Sequence, residues 1–193
     1  YPNQPYLYRD LNFQINAKER FLVVGENGVG KSTLLKLMMG IQTPDRGNIR
    51  FHPNTDVAYY AQELEQLDLQ KTVLENVSAQ GCTMKQLRSV LSNFLFYEDD
   101  INKKAEVLSP GEKARIALCR ILLQKANFLI LDEPTNHLDP ETQEVIGRNF
   151  RRFEGTIMVV SHNRRFVEQI GINRVLRLPS GRVEDYTWGY TSF

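Results

Sequence analysis

The segment Gly25-Glu26-Asn27-Gly28-Val29-Gly30-Lys31-Ser32 limits the fold of this chain more than any other. It fits the spacing G-x-x-x-x-G-K-[ST] and lies between an apolar run at 21–24 and a helical pattern over 31–39. A chain built around it must set a strand end directly against a helix start. The glycines let the backbone curl until successive N–H groups converge on phosphate oxygens at the positive end of that helix. Lys31 is then placed to reach the β- and γ-phosphates, and the Ser32 hydroxyl to coordinate Mg²⁺.

A second run, Leu131-Asp132-Glu133-Pro134-Thr135-Asn136-His137-Leu138-Asp139, follows the apolar stretch Phe128-Leu129-Ile130. Two adjacent carboxylates where a buried strand reaches the surface are ordinary by themselves. In a chain that also carries a phosphate loop they acquire roles: Asp132 holds Mg²⁺ through water, and Glu133 polarises the water that attacks the γ-phosphate.

Composition sets outer limits. With 193 residues and 41% hydrophobic content, there is enough chain for one well-cored domain with a small lobe. A net charge of +1 implies no polyanionic partner from overall balance. Cys82 and Cys119 lie far apart without metal-ligand spacing, so they read as reduced thiols of a cytoplasmic protein. No apolar stretch approaches the roughly 18–20 residues needed to span a bilayer, and no signal peptide opens the chain. The absence of an initiating Met leads us to expect a domain cut from a longer protein.

Along the chain, 11–15, 21–24, 47–51 and 57–60 are strand-like, and 31–39 is helical with Gly40 as its stop. A helical pattern covers 72–93 and ends before Glu98-Asp99-Asp100. Another runs over 111–124. The short apolar segments 128–131 and 156–160 have the character of strands buried on both faces of a parallel sheet. Helices are expected at 141–153 and 164–170. This alternation predicts an α/β fold with a helical lobe at about 63–106 inserted between early and late core strands.

Taken together, these motifs resemble the nucleotide-binding domain of the ATP-binding-cassette (ABC) family, over nearly the whole chain (1–193). The resemblance implies a P-loop NTPase core with a mostly parallel sheet, an antiparallel β-subdomain and an inserted helical signature lobe. Leu108-Ser109-Pro110-Gly111-Glu112 resembles the family's signature loop, and Asp139 falls at its D-loop. Gln62 resembles the glutamine that senses Mg²⁺ and the attacking water, and His162 the switch histidine that contacts the γ-phosphate. The phosphate cradle implied is Gly25, Asn27, Gly28, Gly30, Lys31, Ser32 and Thr33, with Tyr1 stacking on adenine. Glu133, His162 and Gln62 would be catalytic; Ser32, Asp132 and Gln62 would serve Mg²⁺. Family members dimerise head to tail around two ATP molecules, so Ser109 and Gly111 of one domain close the site built by Lys31, Asp132 and Glu133 of another. An isolated domain then binds nucleotide but hydrolyses slowly until a second cassette is present.

Glu-Pro-Thr-Asn136-His137-Leu-Asp and Ser161-His162-Asn163-Arg164-Arg165-Phe166 are similar to the ABC-F class, whose characterised two-cassette members act on the translating ribosome without a membrane domain. The stretches at 72–77 and 188–193 resemble that class as well. Fewer than fifty residues separate Gln62 from Ser109, which leaves no room for the long arm of a first cassette. The expected protein is therefore the second cassette of an ABC-F protein, with translation regulation or antibiotic ribosome protection as its role. The competing reading is an ATPase subunit that powers a membrane transporter. A degenerate, non-hydrolysing switch is disfavoured by intact Lys31, Ser32, Asp132, Glu133 and His162.

Two departures from the family pattern stand out. Pro110 replaces the first glycine of the signature loop, which suits a first helical turn but removes a donor. Asn163 stands where the ABC-F class usually carries Asp. Elsewhere, the arginines at 148, 151, 152, 164 and 165 are interleaved with acids and read as a salt-bridged surface before a basic face. Phe94, Phe96 and Tyr97 are expected in the core of the helical lobe. His52 and His137 lack a ligand cluster, and His137 is expected in a loop.

Overall fold

The structure, a computed structural model, describes residues 7–61, 67–78 and 81–187. Strand β1 (Arg20–Val24) feeds the phosphate loop, which opens directly into helix α1 (Lys31–Met38). Strand β2 (Val57–Tyr60) is followed by the short helices α2 (Val73–Val77) and α3 (Met84–Asn93). A 3₁₀ turn at Ala105–Val107 leads into α4 (Pro110–Leu123). Then come β3 (Phe128–Asp132), α5 (Pro140–Arg151), β4 (Thr156–Val160), α6 (Arg164–Ile170), β5 (Arg174–Arg177) and β6 (Arg182–Asp185).

Among the described residues the sheet runs β2-β3-β4-β1-β5-β6, parallel throughout except for the antiparallel β5–β6 edge. Every residue of β3 and β4 is buried, as expected of central parallel strands covered on both faces. Their side chains alternate between two cores. Leu129, Leu131, Ile157 and Val159 enter one, with α4, α5 and α6. Phe128, Ile130, Met158 and Val160 enter the other, beneath Leu34, Leu35 and Met38 of α1. Truncating one of these to Ala would cost about 2–5 kcal/mol, because the surrounding strands cannot collapse into the void.

Several expectations need correction. Residues 11–15 form no strand, although their burial alternates with period two and Leu11, Phe13 and Ile15 pack against the α1-side core. The apolar alternation is real, but among the described residues no strand pairs with it. Residues 47–51 also form no strand and are exposed, with Phe51 lying against Phe128 at 6.1 Å between ring centroids. An antiparallel pair is present as expected, at the β5–β6 hairpin, whose two strands sequence reading passed over. The continuous helix at 72–93 is two helices, each started by its own capping box, Thr72 with Glu75 and Thr83 with Gln86. Phe94 and Phe96 are buried as expected, while Tyr97 is exposed.

Surface charge follows the salt-bridged reading where partners are seen. Arg148 pairs with Glu144, and Arg164 with Glu168 at 2.9 Å. Arg20 has a different task. Its guanidinium donates to the carbonyls of Phe150 (3.2 Å) and Arg151 (3.1 Å), and also to Phe153 and Ile170. One side chain thereby satisfies the C-terminal ends of both α5 and α6, where a cation also complements the helix dipoles. Burial lowers its pKa, with nearby Arg151 adding to the effect.

Candidate functional site

Strand order assembles the site. β3, β4 and β1 are neighbours, so the segments leaving their C-terminal ends converge: the phosphate loop after Val24, the carboxylates at Asp132 and Glu133, and the turn holding His162 after Val160. Openings of this kind at strand carboxyl ends are where α/β sheets bind ligands.

Gly30 is the N-cap of α1, at φ 100°, and a Cβ there would meet the Tyr8 hydroxyl at 2.5 Å. Only glycine fits both the left-handed backbone and the close ring. Tyr8 donates a hydrogen bond to the Gly30 carbonyl, and burial pushes its phenol up to about 12. No side chain caps α1 and no acid occupies its first turn. Lys31 Nζ donates to the carbonyls of Gly25 (2.8 Å) and Glu26 (3.2 Å), folded across the loop it would share with a phosphate. Asn27 and Gly28 are exposed at the loop's tip, and Thr33 is half-buried one turn into α1.

Ser32 lies beside Asp132 across the strand ends, close enough for its hydroxyl to act on the carboxyl group. Asp132 is buried, and that burial raises its pKa against the lowering effects of Ser32, Lys36 and Lys31. A desolvated carboxylate beside a hydroxyl is a hard oxygen-donor pair suited to Mg²⁺, which takes few protein ligands and completes its shell with water and phosphate. No cluster of three or more His, Cys, Asp or Glu occurs among the described residues. The donor set fits this ion.

Glu133 adopts φ 47° and extends the β3–β4 ladder by one bond, its N–H donating to Val160 O at 2.9 Å. Its carboxylate faces the His162 turn, accepting from the His162 N–H at 3.4 Å and lying 3.3 Å from Nε2. Burial is the main cause of its raised pKa; His162 and Lys31 pull it down, and Asp132 pushes it up. The two expected catalytic side chains that lie within the described residues are thus in contact.

Ser109 and Gly111 make their contacts elsewhere. Ser109 caps α4 in a capping box with Glu112, and Pro110 occupies the first turn. A Cβ on Gly111 would meet the carbonyl of His137 at 2.9 Å, which accounts for glycine there. His137 itself is exposed in a loop at φ 68°. Asp139 serves as N-cap of α5, accepting from Thr142 N–H at 2.9 Å. Tyr1 and Gln62 lie outside the described residues. Sequence reading missed Tyr8, Lys36 and Gln143, none of which belongs to a motif; only the folded chain brings them to the site.

The family model described as ABC transporter matches residues 8–136. YdiF of Bacillus subtilis (strain 168) is 45% identical over 98% of this chain and 30% of its own length. ABC transporter F family member 5 of Arabidopsis thaliana is 38% identical over 97% of this chain and 28% of its own length. The chain thus spans about a third of the curated relatives it matches. A solved dimeric structure of the ATP-binding cassette MJ0796, in a post-hydrolysis state bound to ADP and Pi, superposes with a TM-score of 0.75. It covers 93% of this chain and 90% of that one at 24% identity, a likeness of fold. No helix among the described residues is long and apolar enough to cross a membrane. This chain belongs to the ABC transporter family as an ATP-binding-cassette ATPase domain, and its close relatives include ABC-F proteins.

Proposed function

We propose that residues 1–193 form a single nucleotide-binding domain, the second cassette of a cytoplasmic two-cassette ABC-F protein, which hydrolyses ATP and acts on the ribosome. The observation that carries the hydrolytic part is the Glu133–His162 contact at 3.3 Å beside the Ser32–Asp132 pair. Glu133 takes a proton from the attacking water as its oxygen bonds to the γ-phosphorus; the bond to the β-γ bridging oxygen breaks, releasing ADP and phosphate. His162 orients Glu133 and the γ-phosphate, and Lys31 turns from its carbonyls to the β- and γ-phosphates. Ser32 and Asp132 would hold Mg²⁺, with Gln62 joining them, and the ion would neutralise charge on the phosphates. Tyr1 stacks on adenine, while Gly25, Asn27, Gly28, Gly30 and Thr33 complete the cradle. Ser109 and Gly111 close the site of a second cassette arranged head to tail.

The ABC-F names of several relatives and the Asn136-His137 and Asn163-Arg164-Arg165-Phe166 runs support the ribosomal reading over membrane transport. The test uses the full-length parent with Glu133→Gln and its counterpart in the other cassette. Turnover is expected to fall at least about tenfold, on the order of 1.4 kcal/mol in barrier, with ATP still bound. The variant should co-sediment with ribosomes only when ATP is present. Retention in the membrane fraction instead would overturn the ribosomal assignment, and unchanged turnover would remove Glu133 from the base role.

A further inference from the structure

One side chain joins the turn that carries His162 to the loop that follows Glu133. Gln143, on α5, donates from Nε2 to the carbonyls of Leu138 at 2.8 Å and Thr135 at 3.3 Å. Its Oε1 accepts from Nδ2 of Asn163. Asn163 also caps α6, its Oδ1 accepting from the Phe166 N–H at 2.9 Å, while its own N–H donates to Ser161 Oγ at 3.1 Å. The connections form a ring from Glu133 through its loop to Leu138, across Gln143 to Asn163 and His162, and back to the Glu133 carboxylate.

We propose that Gln143 is a positioning residue for hydrolysis, holding the His162 turn in register with Glu133 through the Asn163–Gln143–Leu138 connection. The proposal rests on reading Glu133 and His162 as the hydrolytic pair. The His162 side chain is 54% exposed, so core packing does not hold it. Its place is set by the backbone of its turn together with the Glu133 carboxylate, and Gln143 ties this turn to the Thr135–Leu138 loop. Hydrolysis is sensitive to such placement, since small displacements of catalytic groups carry large rate penalties.

Donor and acceptor counting explains why residue 163 is an amide here. The carbonyls of Thr135 and Leu138 require a donor, which directs Nε2 of Gln143 toward them and Oε1 toward residue 163. That oxygen in turn requires a donor. Asp at 163 would cap α6 as well as Asn does, but its carboxylate has no proton to give. Two oxygens would face one another. Turning the Gln143 amide over would only move the conflict to the two carbonyls. A Lys at 143 removes the conflict, because an ammonium donates in all three directions.

The experiment uses the full-length protein carrying Gln143→Leu, Asn163→Asp, or Asn163→Asp together with Gln143→Lys. Each single variant should lower kcat about fivefold and leave KM for ATP within about twofold, since the phosphate loop is untouched. The double variant should regain most of the kcat that Asn163→Asp loses. Wild-type kcat in both single variants, or a loss that Gln143→Lys does not relieve, would overturn the proposal. Glu133→Gln run alongside separates the two failures: if it too turns over normally, the hydrolytic reading is at fault. Hydrogen–deuterium exchange across 134–138 and 161–163 then reads the connection directly. Faster exchange in the single variants and its reversal in the double variant support the connection, and unchanged exchange sinks it.

Discussion

Helices α1 and α4 begin with the same physics and opposite chemistry. Both starts present orphan N–H groups and the positive end of a helix dipole. At α4 the chain supplies its own acceptor. Glu112 accepts from the Ser109 N–H at 2.8 Å and from its hydroxyl at 2.7 Å, while the Ser109 oxygen accepts from the Glu112 N–H at 3.3 Å. Pro110 brings no N–H to the first turn. At α1 the cap is a glycine without a side-chain bond, and the first turn holds no acid. The comparison teaches that the α1 start is left open for an anion in its own chain's site, whereas the α4 start is satisfied internally before any second cassette meets it. It also shows the Pro110 departure to be compatible with a well-formed helix start.

The largest effect expected from disturbing the open end is on nucleotide affinity. Lys31→Ala removes the one cation placed within the loop and should weaken ATP binding about 100-fold, or ~2.7 kcal/mol, in a titration with a fluorescent ATP analogue. A loss of less than about threefold would break the contrast between the two helix starts. Next comes Gly30→Ala, which forces a Cβ into left-handed backbone and against Tyr8. It should cost about 2 kcal/mol in a denaturant titration, with partial relief when Tyr8→Phe removes the hydroxyl. No cost would mean that the loop start is looser than its geometry implies. Smallest is the effect at the closed end. Ser109→Ala should lower stability by about 1 kcal/mol, read as a thermal midpoint, and leave ATP affinity of the same cassette unchanged. A fall in that affinity would show that the capped end also serves its own chain's site.

Legibility differed between elements for physical reasons. The strands at 128–132 and 156–160 announced themselves because burial on both faces demands an unbroken apolar run. Residues 11–15 carried an equally clear alternation and formed no strand: period two reports which side chains face a core, and says nothing of whether a ladder partner exists. The β5–β6 hairpin was readable in principle, from Arg174-Val175-Leu176-Arg177 and Arg182-Val183-Glu184-Asp185 around a Ser180-Gly181 turn. The division of 72–93 was readable too, since Thr72 and Thr83 each stand three residues before Glu75 and Gln86.

Within the site, the sequence alone carried the pattern: the glycine curl before Lys31 and Ser32 and the Asp132-Glu133 pair are local motifs whose spacing points to a phosphate ligand, and His162 was picked out by family resemblance. Tertiary structure decided how they meet. The sheet order β3-β4-β1 sets three separated strand ends side by side, which is why Ser32 reaches Asp132 and His162 reaches Glu133. It also decided the roles of Gln143, Tyr8 and Arg20, which donate to backbone carbonyls that any sequence could supply. A backbone carbonyl carries no signature of its residue type, so contacts of that kind become visible only once the chain has folded.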